Sequence, residues 1–224
     1  MPITLQKYEL ILGGLYALLQ LFVLPVLLSI VNLYLQLPVW LLNVILFFLN
    51  FACSTAIYFH FLKDNVLLSL SNPWKTLRYA GQGLALYYIS GFLIGLIVAF
   101  YAPSFNNLND DSVYAMTAQG GTLMVLATVF FVPPAEELLF RGLLFRGLYN
   151  RSKIAAWIVS CVAFSLVHIV GYIGLYTPQM LLIAFLQYIP AGLCLCYAYV
   201  KSGSILAPML MHISINQIAL SITG

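Results

Sequence analysis

The stretch that decides the fold reads Val129-Phe130-Phe131-Val132-Pro133-Pro134-Ala135-Glu136-Glu137-Leu138-Leu139-Phe140-Arg141. Two adjacent glutamates follow a long apolar run, in a chain with only six acidic residues in total. Such a run reads as membrane interior, where an ionisable side chain costs roughly 2.5–3.5 kcal/mol on insertion scales. Charges placed there face a protein interior and mark function. The stretch therefore predicts membrane helices closed around a polar site.

Composition agrees. The chain is 63% hydrophobic and 7% charged, with a mean hydropathy of +1.01, whereas soluble domains average about 25% charged residues. The expected fold class is all-α, a polytopic transmembrane bundle of about seven spans, in the cell membrane. The spans fall near 10–37, 39–62, 79–102, 113–151, 154–171, 179–200 and 204–222. As a straight helix the first run would be ~42 Å long against a hydrocarbon core of ~30 Å, so it must tilt or kink, with Pro25 the expected kink. An eighth span would result if this run divided.

Residue spacing adds detail. Asn43 and Asn50 are one heptad apart and are expected to bond a neighbouring helix; Gly91-x-x-x-Gly95 suits close helix contact. The connector from Lys63 to Arg78 is expected along the membrane interface. Lys and Arg occupy the connectors 63–78, 141–153 and 201 and are absent from 36–38, 103–112 and 172–178. By the positive-inside rule the N-terminus is cytoplasmic.

A net charge of +3, with basic residues confined to short loops, gives no nucleic-acid surface. The start of the chain lacks the pattern of a cleaved signal peptide. Cys53, Cys161, Cys194 and Cys196 lie in apolar runs and read as packing residues. Neither the oligomeric state nor the substrate is legible.

Helix arithmetic brings the intramembrane polar residues to one level. Glu136 lies ~22 Å along its helix from Arg151, His168 ~22 Å from Lys153, and His212 and Asn216 ~16 and ~22 Å from Lys201. Measured from Arg146, Glu136 is only ~15 Å deep, so the site is expected to open toward the cytoplasm, with Arg146 snorkelling at the interface. Glu137 and Arg141, at i and i+4, share a face and pair, while Glu136 points ~100° away. His212 and Asn216 also share a face. Phe164, one turn before His168, walls the cavity beside it, and His60 reads as an interfacial residue outside the constellation.

A carboxylate kept from water is suited to general-base work. Glu136 with His168 would polarise a water, and His212 with Asn216 would donate to the oxyanion formed when that water attacks a peptide carbonyl. The same Glu136, His168 and His212 would serve equally as three ligands of a zinc ion with an open position for water. The residues alone leave both readings open.

Three motifs, Glu136-Glu137-x-x-x-Arg141, Phe164-x-x-x-His168 and His212-x-x-x-Asn216, each on its own span and in this order, resemble those of the CPBP intramembrane proteases. This family, also called Abi, includes the type II CaaX prenyl proteases. The likeness covers about residues 116–222. It implies a four-helix catalytic core, placed at 113–224, behind N-terminal spans one to three at 1–112. It also implies peptide-bond hydrolysis, with Glu136 and His168 activating water and His212 and Asn216 as oxyanion hole. Members are often labelled metalloproteases, so zinc stays an open cofactor. The short chain is more similar to bacterial members, associated with bacteriocin maturation, immunity or membrane-protein turnover. The expected partners are the lipid bilayer and a membrane peptide or protein substrate, and the alternative is a non-catalytic membrane regulator or immunity partner.

Overall fold

The structure is a computed structural model that describes residues 3–223. Among these residues there is no strand. The chain forms helices α1 (Lys7–Leu35), α2 (Val39–Ile57), α3 (Phe59–Ser71), α4 (Pro73–Tyr101), α5 (Leu108–Tyr149), α6 (Lys153–Tyr172), α7 (Pro178–Ser202) and α8 (Leu206–Thr223). Six are long and apolar enough to cross a membrane, and α8 is shorter. Their outer faces show Phe22, Leu33, Phe92 and Phe100 to the surroundings, the surface of a multi-pass integral membrane protein.

Helix ends follow from local chemistry. Asn72, Ser152 and Thr177 each accept a hydrogen bond from a first-turn amide of the helix that follows, supplying partners that the helix itself lacks. Pro73 and Pro178 start α4 and α7, where a missing N–H costs nothing. Gly203 ends α7 with φ 82°, a left-handed turn that glycine adopts freely.

The long first run stays one helix, so no eighth span arises. A π-turn at Leu19–Val23 lies just before Pro25 and absorbs the hydrogen bond that proline cannot make. The connector 63–78, expected along the membrane interface, is helical. It is mostly the helix α3 and the start of α4, and α3 is tied into the interior: Asn65 is fully buried and its Oδ1 accepts from the Ile205 amide. Glu9, also fully buried, accepts from the amides of Gln6 and Phe61 and so caps the start of α3.

Asn50 bonds across helices, accepting from the Tyr16 hydroxyl at 2.9 Å, but Asn43 donates to Val39 of its own helix. A Cβ at Gly91 or Gly95 would meet nothing within 4 Å, so that pair makes no close helix contact. Gly83 does: there a Cβ would lie 2.7 Å from the Met211 sulfur and 3.3 Å from Ala198. All four cysteines are free thiols, three of them buried.

Helix α5, with 42 residues, would be ~63 Å long if straight, twice the hydrocarbon thickness. It is broken at Gly121, whose φ 55° and ψ −143° are not helical. The segment from Leu108 to Gly120 thus leaves the line of the span. It runs from the Tyr176 and Tyr188 hydroxyls at one end to Trp40 at the other, forming a roof. The boundary drawn at 112 falls inside α5.

Candidate active site

The backbone around the glutamates is irregular because two prolines precede them. Pro133 and Pro134 remove two consecutive N–H donors, and the helix responds with a π-turn at Ala127–Phe131. Only Val132–Glu137 is α-helical before a second π segment at Leu138–Arg146. Carbonyls freed from the regular ladder find side-chain partners: Asn216 Nδ2 donates to Thr128 O at 2.9 Å, and Ser160 Oγ to Phe140 O at 2.9 Å.

The two glutamates then separate. Glu137 is fully buried, and its Oε1 lies 3.0 Å from Arg141 Nη1 and 2.9 Å from His212 Nδ1. Arg141, itself fully buried, also donates to Gly192 O at 3.2 Å and covers the Phe164 ring at 4.6 Å. Glu136 faces the other way, into a cavity. Its side chain is 25% exposed, and its Oε2 stands 3.9 Å from His212 Nε2 with no hydrogen-bond partner among the described residues.

His168 Nδ1 lies 2.7 Å from the carbonyl of Phe164. A carbonyl only accepts, so Nδ1 carries the proton and Nε2 of the neutral ring is left as an acceptor. The Phe164 ring flanks His168 at 4.6 Å between centroids and His212 at 5.8 Å. One N–H of Asn216 is committed to Thr128, leaving a single further amide donor. Thr128 Oγ1, beside it, is buried without a hydrogen-bond partner among the described residues.

Glu136, His168, His212 and Asn216 all line one cavity of about 420 Å³, with Asn43 and Asp110 among its other walls. Glu137 and Arg141 lie behind it as supports. The cavity extends toward the loops that carry no Lys or Arg, since Asn109, Tyr172 and Leu220 border it. The expectation of an opening toward the basic connectors is corrected. That side is filled by Leu138, Phe145 and Tyr199. Arg146, taken as an interface marker, is 4% exposed and donates to Ile3 O and Asn150 Oδ1. It pins the chain's start into the bundle, so depth measured from it was misleading. His60 is exposed and bonds the Tyr8 hydroxyl.

The donor set named for zinc does not form a ligand group as it stands. Among the described residues no three His, Cys, Asp or Glu side chains gather to hold an ion. Two wall residues escaped the sequence reading. Tyr188 stacks on His168 at 4.4 Å between ring centroids, and its hydroxyl bonds Asp110 on the roof. Asp110 carried a signal, being one of the few acidic residues; Tyr188, one of 15 tyrosines, carried none.

Residues 118–218 match the family described as type II CAAX prenyl endopeptidase, Rce1-like. The chain is also similar to an uncharacterized 24.3 kDa protein of Escherichia coli, 24% identical over 155 residues. That alignment covers 69% of this chain and 65% of the relative, so just under two thirds of the relative's length is spanned. No solved structure matches.

Proposed function

We propose, from the match of residues 118–218 to the family described as type II CAAX prenyl endopeptidase, Rce1-like, that this protein is an intramembrane endopeptidase. It would hydrolyse a peptide bond of a membrane-bound peptide or protein, with Glu136 as general base. The observation that carries the reading is the division of labour between adjacent carboxylates: Glu137, fully buried, holds both Arg141 and His212 on its Oε1, while Glu136 lines the cavity with its side chain 25% exposed and its Oε2 without a hydrogen bond.

The Glu136 carboxylate, part of whose side chain is exposed, and His168 Nε2 both offer acceptors to a water in the cavity. Glu136 takes one proton as the water oxygen bonds the peptide carbonyl carbon, and the carbonyl electrons move to its oxygen. With Glu137 held as a carboxylate by Arg141, His212 Nδ1 donates to it; protonated on Nε2 as well, His212 donates to the oxyanion together with the free N–H of Asn216. The positive charges of Arg141 and His212 then balance the two carboxylates, which a low-dielectric site requires. Collapse of the intermediate breaks the C–N bond, and Glu136 hands its proton to the leaving amine. No step is routed through a metal, because the residues present do not gather as a ligand set.

With the basic connectors in the cytoplasm, the cavity opens on the opposite side, and a substrate approaches beneath the roof segment. A bacterial setting, as in the processing of bacteriocins or of other membrane peptides, is supported by the likeness to the Escherichia coli protein.

The test is cleavage of a membrane-peptide library by the purified protein in detergent. Wild type should cleave where Glu136→Ala and His168→Ala do not. Equal cleavage by all three removes the proposal, and a deletion phenotype restored by Glu136→Gln would favour a non-catalytic membrane partner.

A further inference from the structure

His168 is held between contacts with two aromatic rings, and only one of the two belongs to its own helix. Phe164, four residues earlier, supplies a ring at 4.6 Å and the carbonyl that fixes Nδ1. The second contact is Tyr188 of α7, stacked at 4.4 Å with 26° between the ring planes. The Tyr188 hydroxyl is in turn held by the roof. It donates to Asp110 Oδ1 at 3.0 Å and accepts from Asn109 Nδ2 at 3.0 Å, with Asn107 Oδ1 at 3.3 Å.

The roof is fastened at this end by tyrosines. Tyr172 donates to Ser112 Oγ at 3.2 Å, and Tyr176 donates to the Asn106 carbonyl while accepting from the Leu108 amide. At its other end the roof meets Gly121, where the backbone turns through a left-handed φ with open space around it. Of the fastening tyrosines, Tyr188 alone also stacks on a motif histidine.

We propose that Tyr188 is a positioning residue for His168, and that its link to Asp110 makes the correct setting of His168 depend on the roof being shut. The proposal rests on His168 acting in the hydrolysis described above. Stacking restricts rotation of the imidazole about its side-chain bonds, and the hydroxyl anchor restricts the tyrosine. Together they fix the imidazole in the cavity that Glu136 also lines. When the roof lifts to admit a substrate, Asp110 leaves, Tyr188 gains freedom and the water-polarising pair is no longer aligned. The site is then assembled only around an enclosed substrate, which keeps bulk water from the chemistry.

The test uses the full chain in detergent with two readouts. The first is the rate at which diethyl pyrocarbonate modifies His168, followed by mass spectrometry with exposed His60 as internal reference. The second is kcat and KM on one peptide taken from the library that wild type cleaves. Tyr188→Leu removes both stack and hydroxyl. It should speed His168 modification severalfold and lower kcat about 10- to 100-fold with KM little changed, the scale expected of a misplaced catalytic group. Tyr188→Phe and Asp110→Leu each remove only the link to the roof. They should show the same smaller loss, and the double variant should be no worse than either alone.

Wild-type modification of His168 and wild-type kcat in Tyr188→Leu would overturn the proposal. So would a loss confined to KM, which would make Tyr188 a substrate contact. The modification readout needs no turnover: if wild type and His168→Ala cleave alike, the hydrolysis reading fails while the positioning of His168 is still decided.

Discussion

The Nδ1 of His212 lies 2.9 Å from Oε1 of Glu137, the same oxygen that Arg141 reaches at 3.0 Å. One carboxylate thus joins two separate helices, α5 and α8, and orients the imidazole whose other nitrogen faces Glu136. The proposed roles of the adjacent glutamates, Glu137 as a support and Glu136 as a base, predict different responses to substitution.

Glu137→Gln should be the destabilising change of the two. It leaves the fully buried Arg141 guanidinium without its counter-ion, and breaking a buried pair in this way costs about 3–5 kcal/mol. Replacing both partners, Glu137→Met with Arg141→Met, should recover much of that loss because no orphaned charge remains. Thermal unfolding in detergent, followed by circular dichroism, measures both; a Glu137→Gln protein as stable as wild type would contradict the support role.

Glu9→Gln should loosen the start of α3. The carboxylate gives one oxygen to the Gln6 amide and the other to the Phe61 amide, and a glutamine offers only one acceptor oxygen. Leaving a buried amide unpaired costs about 1–3 kcal/mol. Faster hydrogen exchange at Phe61 is the expected signature, and unchanged protection there would count against the cap.

Gly83→Ala should destabilise by about 1–3 kcal/mol, the usual cost of overpacking. The added Cβ meets Ala198 and the Cys194 carbonyl at 3.3 Å, which cannot retreat as the Met211 sulfur can. Gly91→Ala and Gly95→Ala meet nothing and should be neutral or stabilising by up to about 1 kcal/mol from helix propensity. The three melting curves decide this, and the reverse order would refute the packing.

Activity of the purified protein should survive exhaustive chelation, with no stoichiometric zinc by elemental analysis. Loss on chelation and restoration by zinc would replace the water-only mechanism with a metal-assisted one.

Much of this was legible in the sequence because membranes simplify the problem. Backbone groups in lipid must satisfy one another, so apolar runs become helices, and the scarcity of charge made Glu136 and Glu137 conspicuous. Spacing of four residues correctly paired Glu137 with Arg141. What spacing could not give was distance between helices. Nothing in the run 103–120 says that Gly121 breaks the helix and sends Asp110 over the cavity, or that Tyr188 on another span meets His168. Arg146 misled for a physical reason: an arginine near a connector is read as wet, whereas here Ile3 and Asn150 supply its partners inside the fold. The Gly91 and Gly95 pair shows the converse, a packing pattern without a packing partner.

The most direct test of the central claim compares cleavage of one membrane peptide by wild type and Glu136→Gln, with melting temperatures recorded on the same samples. Glutamine keeps the shape of the side chain and cannot take a proton from water. The account predicts an unchanged melting temperature and a fall in kcat of about 100-fold or more, the scale of a lost general base. A Glu136→Gln protein that is equally stable and cleaves at the wild-type rate would contradict it.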